Sequence, residues 1–223
     1  SVFGKSLYKP LARLSGLLAV ALLAGGLMVL VLDLGRPDRL IVAMTHYNFR
    51  SIFAWNVLLY TGFMAIVIVY LWTMAERKGN AYTKQVGFAA FVWRLMLTTG
   101  TGSIFGFLVA RQAFDTALFA PMFIAMSFAF GLAIFLLVLM FAFDQDDRPI
   151  GDSILFRLRN LLGIFLGAVL FFVLVYFLTK LYGAKNYDLV SFYLVDGGRY
   201  TLAFWFGWIL IGLLIPLGIV FHP

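Results

Sequence analysis

Asp33, Arg36 and Arg39 stand within one short string, separated by Gly35, Pro37 and a second acid, Asp38, directly behind the 22-residue apolar run 11–32. A carboxylate at the depth where hydrocarbon gives way to headgroups is partly withdrawn from water. That favours its protonated form and suits it to accept and release a proton, unless a cation holds it ionised. Arg36 and Arg39 are close enough in sequence to do so, and Gly35 with Pro37 favours a tight turn at the end of the run. Taken alone, the string also fits a helix stop carrying an ion pair.

His46-Tyr47-Asn48-Phe49-Arg50 precedes the second apolar run and can lie beside the Asp33 string, because the two runs are consecutive. An imidazole, a phenol and an amide supply hydrogen-bond donors and acceptors suited to a two-proton, two-electron ring such as a quinone. Arg94 lies about seven residues into the third run, followed by Thr98, Thr99, Thr101 and Ser103. An intramembrane arginine is costly and marks a candidate functional position. It lies roughly 10 Å from the near end of its run, within reach of snorkelling to the interface. A hydrated proton path through Arg94, Thr98 and Thr101 and a snorkelling structural arginine both remain open. Arg111, Gln112 and Asp115 read as an interfacial cap, and Asp196-Gly197-Gly198-Arg199-Tyr200 as a pocket rim or docking surface.

These residues sit on a very apolar chain, 63% hydrophobic and 12% charged. Soluble domains carry about 25% charged residues. Six runs approach the roughly 20 residues that a helical span requires: 11–32, 52–74, 88–110, 119–143, 155–179 and 203–221. Lipid offers no partners to backbone amides, and runs this continuous lack the alternation of a barrel. The expected fold is an all-α integral membrane protein with six transmembrane helices, forming a single helical domain over 1–223.

With no cysteine, the chain holds neither thiolate-bound iron–sulfur clusters nor thioether-linked haem. His46 sits in a loop and His222 at the last turn of the final span, leaving no in-span pair to clamp a b-type haem. Any metal centres of an electron-transfer system would belong to a partner. The net charge of +7 divides across the membrane. Nine basic residues, among them Lys5, Arg13, Arg77 and Arg157, fall on the N-terminal side, and seven, among them Arg36, Arg39, Arg111 and Arg199, on the other. The bias favours a cytoplasmic N-terminus and places loops 33–51, 111–118 and 180–202 on the opposite face. The basic residues read as topology signals, and nothing points to nucleic acid. Gly102-x-x-x-Gly106 and Gly163-x-x-x-Gly167 read as helix-packing contacts, and Trp205 and Trp208 as interfacial anchors.

Tyr8-Lys9-Pro10-Leu11, Val31-Leu32-Asp33-Leu34-Gly35-Arg36-Pro37 and His46-Tyr47-Asn48-Phe49-Arg50-Ser51 occur in an order that resembles the polysulfide reductase membrane-subunit family, the NrfD-like proteins. Thr98-Thr99-Gly100-Thr101-Gly102-Ser103 and Tyr200-Thr201-Leu202-Ala203-Phe204-Trp205 extend the resemblance over nearly the whole chain. More narrowly it is similar to the ten-span branch that includes the hydrogenase-2 membrane subunit and the Dsr, Hmc and alternative complex III relatives. The resemblance implies a haem-free subunit, rather than a complete enzyme, within a larger bundle of about eight to ten helices. It implies docking of a periplasmic four-cluster ferredoxin-like iron–sulfur subunit, with further complex subunits, in a bacterial inner membrane. Menaquinone or ubiquinone would be the exchangeable substrate, with proton translocation a further expectation.

The resemblance implies that Asp33 helps line the quinone pocket; in the reading built on it, Asp33 exchanges a proton with the quinone, Arg36 and Arg39 tune Asp33, and His46 and Tyr47 are rim candidates. The family's pocket histidine belongs to a helix preceding the first span here, so the chain is expected to be an internal portion. Two other readings stand beside this one. One is a proton-coupled secondary transporter in which Arg94 binds an anionic solute near a helix break at Gly100–Gly102. The other is an anchor with no quinone of its own.

Overall fold

The computed structural model describes residues 9–33, 35–36, 42, 45–46, 48–76, 79–144, 152–183 and 186–221, and every regular element among them is helical. Helix α1 is Lys9–Asp33, α2 Ile52–Ala75, α3 Thr83–Gly106, α4 Phe119–Asp144 and α5 Asp152–Tyr182. A 3-10 turn, Gly79–Tyr82, leads into α3. The short α6, Tyr187–Ser191, widens into a π-turn at Phe192–Asp196. The last span, α7, is Arg199–Phe221.

Each of α1 to α5 has 24 to 31 residues, enough at 1.5 Å per residue to cross a hydrocarbon core of about 30 Å. Leu17, Met28, Ile68, Leu137, Phe141 and Ile164 are all exposed in the chain by itself, as expected of side chains that face acyl chains rather than water. Among the described residues, five helices are long and apolar enough to cross a membrane: those containing Leu11–Val29, Ala54–Ala75, Phe119–Phe143, Ser153–Tyr182 and Arg199–Phe221. Helix α3 is as long as α2 but more polar, carrying Lys84, Gln85, Arg94 and a series of hydroxyls. The six expected spans are thus five strongly apolar helices and one polar one. Helix α3 continues through Gly100 and Gly102 without a break, so the interruption that a transporter site would use is not formed there.

The chain divides into two compact units, Ser1–Ile104 and Phe105–Pro223. In the first, Leu23 of α1, Phe63 and Val67 of α2 and Leu97 of α3 form the core. Close approach there depends on small residues. A Cβ at Gly62 would lie 2.4 Å from Trp93 Cζ2, and one at Gly16 would lie 2.7 Å from Leu71 Cδ2. The Trp93 indole N–H donates to Leu59 O at 2.9 Å, which fixes the ring over Gly62. At the opposite end from the Asp33 loop, Arg13 donates to Met74 O at 3.0 Å and ties α1 to α2.

The second unit is built on Phe119, Met122, Ala125 and Ala129 of α4, Leu166, Val169 and Val173 of α5, and Ile209 and Leu213 of α7. Gly163 lets α5 approach α7, since a Cβ there would lie 2.7 Å from Val220 Cγ1, whereas Gly167 faces open space. Gly106 serves a loop rather than a helix: its Cβ would meet Thr116 O at 2.8 Å. Helix α7 is π-helical over Ala203–Leu214 and α-helical over Ile215–Phe221. Pro216 supplies the physical reason for the change. It has no N–H to donate and its ring crowds the carbonyl four residues back. The wider turn before it, in which the Ile215 N–H reaches Leu210 O, displaces that row of carbonyls.

Candidate functional site

In the first unit, α1 ends at Asp33 and α2 begins at Ile52, so both helices present these ends to the loop between them. Asp33 closes its helix as expected. Its carboxylate, Arg39 and Tyr47 lie outside the described side chains and residues, while Arg36 and His46 are described and exposed. The His46 N–H donates to Val42 O at 2.9 Å, and its Nδ1 lies 3.1 Å from Thr45 Oγ1.

The approach to α2 is a built turn. The Asn48 side-chain oxygen accepts from the Arg50 N–H at 3.1 Å, and its backbone oxygen accepts from the Ser51 N–H at 2.8 Å. The Trp55 indole N–H then donates back to Phe49 O at 2.8 Å, with the Phe49 and Trp55 rings edge to face at 5.8 Å. Asn48 and Trp55 therefore fix the Asn48–Ser51 turn at the start of α2, a role that composition alone does not reveal.

Arg94, Thr98 and Thr101 are spaced four and three residues apart and share one stripe of α3. Arg94 is exposed within the first unit, and its guanidinium lies 5.4 Å from the centre of the Phe63 ring, a cation–π arrangement. Thr98 is buried and donates to Arg94 O at 2.9 Å. Thr99 and Ser103 likewise donate to carbonyls four residues back, Leu95 O and Thr99 O, each at 2.8 Å. The hydroxyls thus satisfy their own helix first.

Thr101 also reaches out of its helix. Its Oγ1 lies 3.0 Å from Leu97 O and 3.3 Å from Asn56 Oδ1 of α2. Asn56 is 7% exposed and is the lone carboxamide of its span. It was hidden in sequence because one amide in a long apolar run does not disturb the hydropathy. The signal that marks it is the cost of a polar side chain at membrane depth.

In the second unit, Lys180 in the last turn of α5 is 5% exposed. Its ammonium donates to Gln112 O at 2.8 Å and Asp115 O at 2.9 Å, and the Tyr176 hydroxyl donates to Ala113 O at 2.6 Å. The segment carrying Arg111, Gln112 and Asp115 is therefore clamped onto α5 through its backbone, which agrees with a cap. At the start of α7, Thr201 Oγ1 accepts from the Gly197 N–H and donates to Phe192 O, both at 3.0 Å. The Trp205 indole donates to Leu194 O at 3.0 Å. Gly198 has φ +55 and ψ −111, and a Cβ at Gly197 would lie 2.4 Å from Phe192 O. Only glycines pass through this turn without strain. Trp55 and Trp205 each tie the first turns of a span to the backbone just upstream.

The family model for polysulphide reductase, NrfD, matches residues 1–223. The chain belongs to the NrfD family. Over its full length, this NrfD chain is 30% identical to the Hdr-like menaquinol oxidoreductase integral membrane subunit of Archaeoglobus fulgidus, covering 56% of that protein. It is 22% identical over 254 residues to a selenate reductase subunit of Mesobacillus selenatarsenatis, covering 97% of this chain and 59% of that one. The NrfD chain therefore spans somewhat over half the length of these relatives. No solved structure matches it significantly. Family and fold together make it a multi-pass helical membrane protein.

Proposed function

We propose that this chain is the quinone-interacting membrane subunit of a respiratory oxidoreductase complex in the cytoplasmic membrane. The observation that carries the reading is the alignment of this whole chain with 56% of the length of the membrane subunit of a menaquinol oxidoreductase. The subunit exchanges electrons between the membrane quinone pool, menaquinone or ubiquinone, and a periplasmic four-cluster iron–sulfur partner. The electron carriers reside in that partner.

Reduction of a quinone takes up two electrons and two protons, and oxidation of the quinol returns them. Asp33, at the headgroup end of α1, exchanges a proton with the quinone oxygen. Arg36 and Arg39 set how readily Asp33 ionises. His46 and Tyr47 form the rim, directly preceding in sequence the Asn48–Ser51 turn that the Trp55 indole ties to α2. Arg94, Thr98 and Thr101, on one stripe of α3, line the hydrated route by which protons are resupplied from the cytoplasmic side.

Purification of the intact complex in mild detergent, followed by extraction and photolabelling with an azidoquinone, tests the assignment. The expected result is a co-purifying iron–sulfur subunit and label on this chain. An isolated chain that binds no quinone and moves a solute across vesicles would favour the transporter reading instead.

A further inference from the structure

A carboxamide brings two donors and an acceptor oxygen with two lone pairs. Asn56 is more than nine-tenths buried in an apolar span, yet only one of these sites is engaged among the described residues. Even that bond is shared, because Thr101 has a single hydroxyl hydrogen and two acceptors, Leu97 O at 3.0 Å and Asn56 Oδ1 at 3.3 Å. Rotating the amide by half a turn exchanges its ends and still leaves one without a partner. The free end is not sealed off: among the described residues the fully enclosed side-chain atom without a partner is Arg159 Nε, not an atom of Asn56, so the amide keeps one end open to a ligand.

Small residues bring α3 close to the amide on one side. Gly100 stands opposite, where a Cβ would lie 3.4 Å from Asn56 Oδ1 and 3.2 Å from Leu59 Cδ1. Asn56 is four residues inside α2, about 6 Å below the end that follows the Asp33 loop.

We infer that Asn56, steadied by Thr101, is the residue that hydrogen-bonds the quinone ring oxygen. The inference rests on the quinone reading and adds a residue to its site. The chemistry fits both redox states. The quinone carbonyl only accepts, so it takes the amide N–H, whereas the quinol hydroxyl donates and finds the amide oxygen. An amide does both without ionising, so it holds the oxygen in place while Asp33 handles the proton.

The test is redox-difference infrared spectroscopy of the intact complex loaded with menaquinone labelled with carbon-13 at its ring carbonyls. In the unaltered complex one carbonyl band falls below its position in free menaquinone. Asn56→Leu returns that band to the free position and weakens binding roughly tenfold, while Asp33→Asn leaves the band where it was. Asn56→Gln, which keeps the amide but moves it outward, shifts the band partway, and Thr101→Val broadens it. An unmoved band and unchanged affinity in assembled Asn56→Leu or Asn56→Gln complex would overturn the inference and leave the quinone reading intact. Failure of the unaltered complex to bind menaquinone or ubiquinone would overturn both.

Discussion

Thr101 of α3 and Asn56 of α2 meet at 3.3 Å in the interior of the first unit, where Asn56 is buried and Thr101 half-buried. Polar contacts between membrane helices are worth about 0.6 kcal/mol on average, because the separated helices find other partners. Thr101→Val should therefore destabilise the folded chain by only about that amount, measured by unfolding in mixed micelles. A loss several times larger would make the pair a structural rivet.

Gly62 faces the Trp93 ring with no space for a side chain, the nearest atom standing 2.4 Å from an added Cβ. Gly62→Leu should separate α2 from α3 and cost roughly 1–3 kcal/mol as an overpacked contact. Gly100→Ala, whose nearest neighbour would be a leucine methyl at 3.2 Å, should be milder. Yields of monodisperse protein in detergent rank the two, and an equal loss would contradict the packing described.

Lys180 holds the segment 112–115 by two carbonyls. Hydrogen bonds from a charged donor contribute about 1.5–3 kcal/mol, so Lys180→Met should speed amide exchange in that segment by roughly ten-fold or more. Tyr176→Phe, which removes one neutral bond, should cost about 1 kcal/mol and produce a smaller change. Exchange rates that do not respond to either substitution would exclude the clamp.

Trp55 anchors Phe49, just ahead of α2, through its indole N–H. Trp55→Phe keeps an aromatic ring against Phe49 and removes only the donor, a loss of about 1 kcal/mol. The expected outcome is faster proteolysis between His46 and Ser51 with the helices unchanged by circular dichroism. An unaltered cleavage rate would detach Trp55 from the loop.

The spans were legible where apolar residues run unbroken: the expected 119–143 is α4, Phe119–Asp144, stopped at an acid. Boundaries moved where helices extend into the headgroup region. Thr83-Lys84-Gln85 has loop composition, yet there the backbone is satisfied by the helix, the Thr83 hydroxyl donates to Thr73 O at 3.3 Å and Lys84 and Gln85 are exposed, so α3 starts at Thr83 rather than 88. Helix α7 likewise starts at Arg199 rather than 203. The π-helical register of Ala203–Leu214 has no compositional mark beyond Pro216.

At the site, Asp33 as the last residue of α1 was legible from the end of the apolar run. Asn56 and the Lys180 clamp were not, because their meaning lies in contacts across 45 and 65 or more residues of chain.

Quinone-linked turnover of the intact complex carrying Asp33→Asn, measured at matched assembly, tests the central claim most directly. The substitution keeps the side chain's shape and removes its capacity to exchange a proton. Turnover should fall by roughly 10²-fold or more, the scale of a lost general acid–base, with the iron–sulfur partner still bound. Full turnover in fully assembled complex would contradict the role given to Asp33 and the quinone site built around it.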